Sequence, residues 1–358
     1  MATTTVAVDR ATRSTARETM RAAVLPEVNR KLEMSSVAIP KLGHGDALLE
    51  VEACGVCHTD LHVADGFFRP FGFDKFPIVL GHEAVGRVVE IGEGVTHLNV
   101  GDRAGMYFCF SCGLCRNCLI GKETACATLL TAPQLAGINV DGGYAEYLRV
   151  PAKHLLPIPD QLDAVDAAPF FCGGVTMYGG LKAAGLQAHQ RVAILGIGGL
   201  GHLGIQIAKA MGAEVIAITS KEKVGDAREL GADAVITRNG DIGAQLMELG
   251  GADVILSTTL DTADINKVMQ GLRPLGAYVL TGMTMDPLTI TPAPFALFQQ
   301  RVIGSIIGTR ADLQELLDLA VRHDIRPKTE VYKLDEANTV HEKLRNQQVR
   351  LRAVLTPN

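Results

Sequence analysis

Four cysteines lie close together in the first half of the chain, at a spacing that suits a metal ion. Cys112, Cys115, Cys118 and Cys126 follow the pattern C-x2-C-x2-C-x7-C. Four thiolates satisfy a tetrahedral zinc and leave no open position, so this site would be structural. A bacterial iron–sulfur motif begins with the same spacing, but here the fourth cysteine comes late and no Cys-Pro follows it. Cys109 lies outside the spacing, and we interpret it as a partly buried thiol.

A second set of candidate ligands is dispersed along the chain. It consists of Cys57 in CGVCHTD, His82 and Glu83 in GHE, and Cys172 in FFCGG. A Cys-His-Cys set with a free fourth position is the catalytic type of zinc site, because water or a substrate oxygen can occupy that position. The spacing alone does not establish that these residues meet in space.

A glycine-rich segment follows the apolar run RVAIL and opens a predicted helix. Its residues are Gly196, Ile197, Gly198, Gly199, Leu200 and Gly201. A G-x-G-x-x-G between a strand and a helix is the dinucleotide-binding fingerprint. Gly196 would permit the tight turn, Gly198 the approach of a pyrophosphate, and Gly201 close packing of helix and strand. The helix N-terminus would supply free N–H groups for the phosphates.

The end of the next strand normally carries an acid that binds the adenosine ribose. Here EVIAITS ends in Thr219 and Ser220, and Lys221 and Lys223 follow. Without a carboxylate a 2′-phosphate is not repelled, and the two lysines either attract it or are solvated surface charges. NAD is slightly favoured because no arginine is placed to bind the phosphate, and NADP stays open.

The elements that must position these residues change in character along the chain. From 47 to about 157, short apolar runs are separated by Gly, Pro and Asp, which predicts an all-β domain. From 191, strand-like and helix-like segments alternate, which predicts an α/β domain with a parallel sheet covered on both faces. Residues 1–19 lack apolar periodicity and predict a flexible arm. Asp9 and Glu18 argue against a mitochondrial presequence there.

Charge and composition exclude several classes of protein. The chain has 358 residues with 34 Lys and Arg against 39 Asp and Glu, which gives a net charge of −5. This balance disfavours nucleic-acid and membrane-surface partners. No apolar run is long enough for a membrane span, and the eight cysteines are clustered as for metal binding in a reducing compartment. We therefore expect a cytoplasmic protein.

Several motifs follow one another in the order seen in one family. CGVCHTDLH, GHEAVGRVVEIG, the four-cysteine segment, GIGGLGHLGIQIAKAMGA and the terminal RAVL resemble the zinc-dependent medium-chain alcohol dehydrogenases over about 20–358. The resemblance is greatest to the bacterial and yeast-type members, which are commonly tetramers. It implies a GroES-like β-rich catalytic domain over 20–173 and 307–358, and a Rossmann domain with a doubly wound parallel sheet over 174–306.

The resemblance also implies roles at the metal and for proton transfer. Cys57, His82 and Cys172 would bind the catalytic zinc, which makes the alcohol oxygen more acidic. Glu83 would lie behind the metal and ligate it transiently, and Asp60 would orient His82. Thr59 would hydrogen-bond the alcohol oxygen, and His62 would pass its proton towards solvent.

Four further residues receive roles from the resemblance. His58 and Arg352 would meet the cofactor pyrophosphate, and Phe68 and Phe108 would form walls of the substrate pocket. Alternatives remain for three of these residues and for His62. His62 is otherwise a surface histidine, the two phenylalanines are core residues, and Arg352 is a solvated charge near the chain end.

The expected function is the interconversion of primary alcohols, aliphatic or aromatic, and aldehydes with a nicotinamide cofactor. A polyol or secondary-alcohol dehydrogenase of the same superfamily is the alternative among enzymes. A non-catalytic zinc-binding scaffold is the alternative from another class. The resemblance further implies two zinc ions per chain, NAD(H) with NADP(H) as the other option, and a homotetramer.

Overall fold

The three-dimensional structure is a computed structural model that describes residues 17–260, 265 and 267–357. Most of the predicted arm over 1–19 lies outside these residues, and its last residue, Thr19, already belongs to the first strand. The strands are β1 (Thr19–Leu25), β2 (Glu33–Ala38), β3 (Asp46–Val56), β4 (Ile78–Val79), β5 (Glu83–Ile91), β6 (Arg103–Met106), β7 (Tyr147–Pro151), β8 (Leu155–Pro157), β9 (Arg191–Leu195), β10 (Glu214–Thr219), β11 (Ala234–Thr237), β12 (Ala252–Ser257), β13 (Leu272–Leu280), β14 (Arg301–Gly304), β15 (Thr329–Lys333) and β16 (Arg352–Thr356).

The helices of the described residues are mostly short. They are α1 (His58–Ala64), α2 (Arg116–Leu119), α3 (Thr128–Thr131), α4 (Ala164–Ala167), α5 (Gly173–Ala184), α6 (Gly201–Ala210), α7 (Val224–Glu229), α8 (Ile242–Glu248), α9 (Pro292–Leu297), α10 (Arg310–Arg322) and α11 (Ala337–Arg345). Within the described ranges, no helix combines the length and apolarity that a bilayer span requires.

Six parallel strands form a sheet in the order β11-β10-β9-β12-β13-β14. Both faces of this sheet are covered. On β9, Val192 and Ile194 belong to one hydrophobic cluster, and Ala193 and Leu195 to the other. This burial on both faces explains why its strands are continuous apolar runs. The strand order reverses beside β9, and the glycine-rich turn follows that strand, where α/β sheets bind ligands. The predicted α/β class is confirmed.

The β-rich part contains a second sheet in the order β15-β16-β3-β5-β6-β8, with β7 also paired to β3. The central strand β3 pairs antiparallel with β5, β7 and β16. Strands β1, β2 and β4 form a separate three-stranded sheet. The last two strands of the chain therefore return to the sheet that begins near residue 46.

The expectation of an all-β segment over 47–157 was wrong at α1, and the four-residue helices α2 and α3 also lie in this range. Helix α1 follows β3 directly, and Cys57 is its N-cap. The carboxylate of Asp60 accepts the backbone N–H of Cys57 at 2.8 Å and so satisfies a free donor of the first turn. With seven residues, the helix is too short to show helical periodicity in the sequence.

Candidate active site

The dispersed candidate ligands meet in space. The Sγ atoms of Cys57 and Cys172, a ring nitrogen of His82 and a carboxylate oxygen of Glu83 all lie within 4.8 Å of one another. Cys57 caps α1, His82 precedes β5, Glu83 begins it, and Cys172 precedes α5. His82 Nε2 is fully buried and has no hydrogen-bond partner among the described residues. An unpartnered imidazole nitrogen beside two thiols fits a zinc ion.

Asp60 lies on the other side of His82 and is itself held firmly. Its Oδ1 lies 3.3 Å from His82 Nδ1 and accepts the backbone N–H of Gly81 at 3.3 Å. Its Oδ2 accepts the hydroxyl of Tyr144 at 3.0 Å. The predicted neighbourhood of Asp60 and His82 is present. Tyr144 was missed, because no spacing in the sequence connects it to residue 60.

Arg352 is almost fully buried, with 3% of its surface exposed, so the alternative of a solvated charge was wrong. Its guanidinium forms an ion pair with the carboxylate of Glu83. It also borders the glycine-rich turn, since a Cβ built on Gly199 would lie 3.3 Å from its Nη1. Arg352 therefore lies between the metal-ligand cluster and the turn. The charge-assisted pair with Glu83 partly offsets the hydration that both groups lose on burial.

Two residues of α1 were predicted to handle the substrate oxygen and its proton. The hydroxyl of Thr59 lies 3.7 Å from Cys57 Sγ. His62 is half-buried, and burial, together with the charge of His58, lowers the pKa of its imidazole. The ring of Phe67 packs edge-on against His62 with 4.6 Å between centroids. His62 is therefore not a freely solvated surface histidine, although His58 is exposed.

The two phenylalanines predicted to line the substrate pocket pack against histidines of the site. The ring of Phe108 packs edge-on against His82 at 4.9 Å between centroids, and Phe68 lies 6.3 Å from His62. Both predicted pocket residues therefore contact the site, and both are also buried members of the main hydrophobic cluster. Phe67, which lies nearer to His62 than Phe68 does, was not predicted.

The four cysteines of the C-x2-C-x2-C-x7-C segment also meet, on a lobe that carries α2 and α3. Their Sγ atoms lie within 4.8 Å of one another. The backbone N–H groups of Leu114 and Cys115 point at Cys112 Sγ, at 3.4 and 3.3 Å. Although burial raises it, hydrogen bonds with Thr128 and with the backbone lower the pKa of Cys126 to about 6. These donors stabilise thiolate sulfur, which suits a four-coordinate zinc. Cys109 is buried and is not a member of the cluster.

The glycine-rich turn has the geometry that its sequence predicts. Gly196 has a φ of +91°, which a residue with a side chain rarely adopts. A Cβ at Gly201 would lie 1.9 Å from the carbonyl oxygen of Gly196. By contrast, no atom lies within 4 Å of the position of a Cβ at Gly198, so this side of the turn has room for a pyrophosphate. Leu200 caps α6.

The residues predicted to contact the adenosine ribose differ in exposure. Thr219 is buried at the end of β10, while Ser220 and Lys221 are exposed. Lys223 donates to the carbonyl oxygen of Ile197 within the turn at 3.0 Å. Lys223 is therefore bound to the turn, and the alternative of a solvated surface charge was wrong for this lysine.

Known families match both halves of the chain. Residues 43–160 match the alcohol dehydrogenase GroES-like domain, and residues 199–322 match the zinc-binding dehydrogenase family. The chain is 42% identical over 342 residues to an alcohol dehydrogenase of Geobacillus stearothermophilus, covering 94% of this chain and 99% of that protein. The chain belongs to the zinc-dependent medium-chain alcohol dehydrogenases.

Solved structures of this family have the same fold. The alcohol dehydrogenase of Aeropyrum pernix matches with a TM-score of 0.87 and 34% identity, over 94% of this chain and 100% of that one. An acetophenone reductase from Geotrichum candidum, in complex with NAD, matches with a TM-score of 0.83 and 31% identity, over 96% and 98%. The predicted enzyme class, a nicotinamide-dependent alcohol dehydrogenase with a GroES-like and a Rossmann part, is confirmed.

Proposed function

We propose that the chain interconverts primary aliphatic or aromatic alcohols and aldehydes at the cluster of Cys57, His82 and Cys172. The observation that carries the proposal is the convergence of these ligand atoms, with Glu83, beside the half-buried His62. A zinc ion held there would supply Lewis acidity for the substrate oxygen, and a bound nicotinamide cofactor would supply the acceptor or donor of the hydride.

The chain's own residues would orient the ligands and move the proton. Asp60 faces His82 Nδ1 and so favours the proton on that nitrogen, which leaves the lone pair of Nε2 for a metal. Thr59 offers a hydroxyl beside Cys57, and the neutral imidazole of His62 accepts the proton. Phe67 and Phe68 exclude water around that imidazole.

The remaining site roles extend this proposal. The four thiolates of the lobe would bind a second, structural zinc. Arg352 and His58 would contact the pyrophosphate on the turn of Gly196, Gly198, Gly199, Leu200 and Gly201. Thr219, Ser220 and Lys221 would contact the adenosine ribose, with NAD slightly preferred over NADP. Arg352 supports this role by its position beside Gly199.

Secondary alcohols are the second candidate substrate class. The match to an acetophenone reductase favours it, since that enzyme's name specifies a ketone. Phe108 beside His82 and Phe68 beside His62 favour flat or unbranched substrates in either case.

The chain is further proposed to act as a homotetramer in the cytoplasm. Large apolar side chains are exposed around β14, the edge strand of the parallel sheet: Leu275, Met285, Leu297, Phe298 and Ile306. A second copy packed on this edge would bury them.

All eight cysteines are free, which suits a reducing compartment. The proposed domains are 20–173 with 307–358, and 174–306, since each range contains one complete larger sheet.

The test is an assay of the purified protein with benzyl alcohol and either NAD or NADP. The absorbance of the reduced cofactor measures turnover. Thr59→Val and Thr59→Ser form a matched pair, because only serine retains the hydroxyl. We expect turnover of benzyl alcohol by the wild type and the Ser variant, and a large loss in the Val variant. 1-Phenylethanol and sorbitol test the alternatives. Faster turnover of 1-phenylethanol or sorbitol than of benzyl alcohol would contradict the proposed substrate class. Absence of turnover of all three alcohols with NAD and with NADP would contradict the function.

A further inference from the structure

His202 is a fully buried histidine at the second position of α6, directly after the glycine-rich turn. Its Nδ1 lies 3.1 Å from the carbonyl oxygen of Gly198, and its Nε2 lies 3.4 Å from the backbone nitrogen of Lys328. A carbonyl only accepts and a backbone N–H only donates. The proton therefore resides on Nδ1, and Nε2 accepts. Burial lowers the pKa of His202 to about 3, so the imidazole is neutral, as these two partners require.

The hydrogen bond from His202 to the Gly198 carbonyl acts on the peptide of the turn that side chains restrict least. The peptide between Gly198 and Gly199 has no side chain on either flank, so little steric resistance opposes its rotation. In a planar trans peptide the C=O and N–H point in opposite directions. Holding the Gly198 carbonyl towards His202 therefore directs the Gly199 N–H away from the imidazole. The backbone N–H of His202 donates to the same carbonyl at 3.2 Å and supports this orientation.

The other end of His202 reaches the β-rich part of the chain. Lys328 directly precedes β15, and its carbonyl accepts the backbone N–H of Arg352 at 3.2 Å. The guanidinium of Arg352 is in turn paired with Glu83 in the metal-ligand cluster. One turn further along α6, Gln206 exchanges two hydrogen bonds with the backbone of Arg326, at 3.0 and 3.3 Å. The helix is thus docked on residues 326–328 at two successive turns.

We propose that His202 is a positioning residue for the cofactor. Its Nδ1–H fixes the Gly198–Gly199 peptide, and the bond that its Nε2 accepts from Lys328 holds the ring in the orientation that this requires. The turn is then held with its N–H groups ready for a pyrophosphate. This inference rests on the proposed function only in assuming that the turn binds the dinucleotide.

Three variants separate the two bonds of the imidazole. In His202→Asn the side-chain NH2 takes the place of Nδ1 and keeps the donor to Gly198. In His202→Gln the side-chain carbonyl takes the place of Nε2 and keeps the acceptor for Lys328. His202→Leu keeps neither. Gln206→Leu is the matched control, because it removes the neighbouring contact to the same segment without touching the turn.

The measurement is the Kd of NADH, or of NADPH if the wild type binds it more tightly, from the fluorescence of the reduced cofactor. Titration calorimetry checks the same values. We expect a rise of about tenfold for the Leu and Gln variants, the effect of losing a buried hydrogen bond that orients the turn. The Asn variant and the Gln206 control should stay within about threefold. Zinc content and thermal midpoint show which variants are folded.

Several results would overturn the inference. An unchanged Kd in a folded Leu or Gln variant would show that His202 does not position the turn. An equal loss in the Asn and Gln variants, or in the Gln206 control, would show that the effect is general packing. In both cases the wild type would still oxidise alcohols, so the proposed function would stand. A wild type that binds neither cofactor would overturn both.

Discussion

The guanidinium of Arg352 and the carboxylate of Glu83 form an ion pair in which neither side chain has more than 3% of its surface exposed. Burial raises the pKa of the Glu83 carboxyl, and Arg352 acts in the opposite direction. Strands β16 and β5 supply the two residues, which lie 269 positions apart in the sequence. The pair therefore connects the last strand of the chain to the metal-ligand cluster.

Replacing one partner of this pair should lower stability more than expected from replacing both partners together. Arg352→Met leaves a buried carboxylate without its partner, and Glu83→Gln leaves a buried cation, so each should lower stability by about 3 kcal/mol. The double variant should be more stable than the sum of the two losses predicts, because no unpaired charge remains. Thermal midpoints at fixed zinc and protein concentration measure this. Additive losses would mean that the two side chains are not coupled.

The two cysteine sites should respond differently to the loss of one ligand. Cys57→Ala should abolish turnover while the fold survives, because an open site affects chemistry first. Cys115→Ala should lower the thermal midpoint first, because a closed four-thiolate site contributes to folding. Elemental analysis should give two zinc ions per wild-type chain. Cys109→Ala is the control and should keep both. One zinc ion in the wild type, or iron with a visible absorption band, would contradict this assignment.

The sites formed by residues of one short segment could be predicted from the sequence, whereas contacts between distant segments could not. The four-cysteine lobe and the turn at Gly196 are local patterns, and both have the geometry that their residues predict. The bonds of Tyr144 to Asp60 and of His202 to Lys328 join residues 84 and 126 positions apart. Such pairs depend on which strands are neighbours, and no local periodicity encodes that.

The resemblance to a family supplied what spacing could not. It assigned the dispersed residues Cys57, His82 and Cys172 to one site, and in the fold their ligand atoms lie within 4.8 Å of one another. The resemblance did not predict that Arg352 is buried. Its burial follows from the pairing of β16 with β3, which places Arg352 beside the buried Glu83. The alternative of a solvated end-of-chain charge failed for that reason.

His62→Gln should slow alcohol oxidation most at low pH, where an unassisted proton has the least tendency to leave. Burial lowers the pKa of His62 from its ordinary value of 6.5. The imidazole therefore stays neutral, and can still accept a proton, at pH values somewhat below 6.5. Phe67→Leu is the companion variant. It removes the ring that packs on His62, so the pKa should rise and the acid limb of kcat/KM should move to higher pH. An unchanged pH–rate profile in the Gln variant would make His62 a bystander.

Phe108→Ala should harm small alcohols more than bulky ones. The ring packs on His82, so its removal enlarges the space beside the metal-ligand cluster and costs small substrates their contacts. The measurement is kcat/KM for ethanol and for benzyl alcohol. Phe110→Ala is the matched control, because Phe110 is equally buried but packs on His154 instead. If the Phe108 variant loses activity equally on both substrates, the residue belongs to the core.

Thr219→Asp should sharpen the preference for NAD over NADP. Thr219 lies at the end of β10, where a carboxylate would both accept from a ribose hydroxyl and repel a 2′-phosphate. In the wild type that repulsion is missing, and an exposed Lys221 adds at most about 1 kcal/mol of attraction for the phosphate. The two cofactors should therefore differ less in the wild type than in the variant.

The control for this substitution is Thr237→Asp, at the residue that pairs with Thr219 on the neighbouring strand β11. It adds the same charge at the same edge of the sheet, one strand further from the turn. The ratio of kcat/KM with NAD to that with NADP should rise strongly for Thr219→Asp and only weakly for the control. Because Thr219 is buried, thermal midpoints must confirm that both variants fold. An unmoved ratio in Thr219→Asp would show that residue 219 does not lie at the ribose.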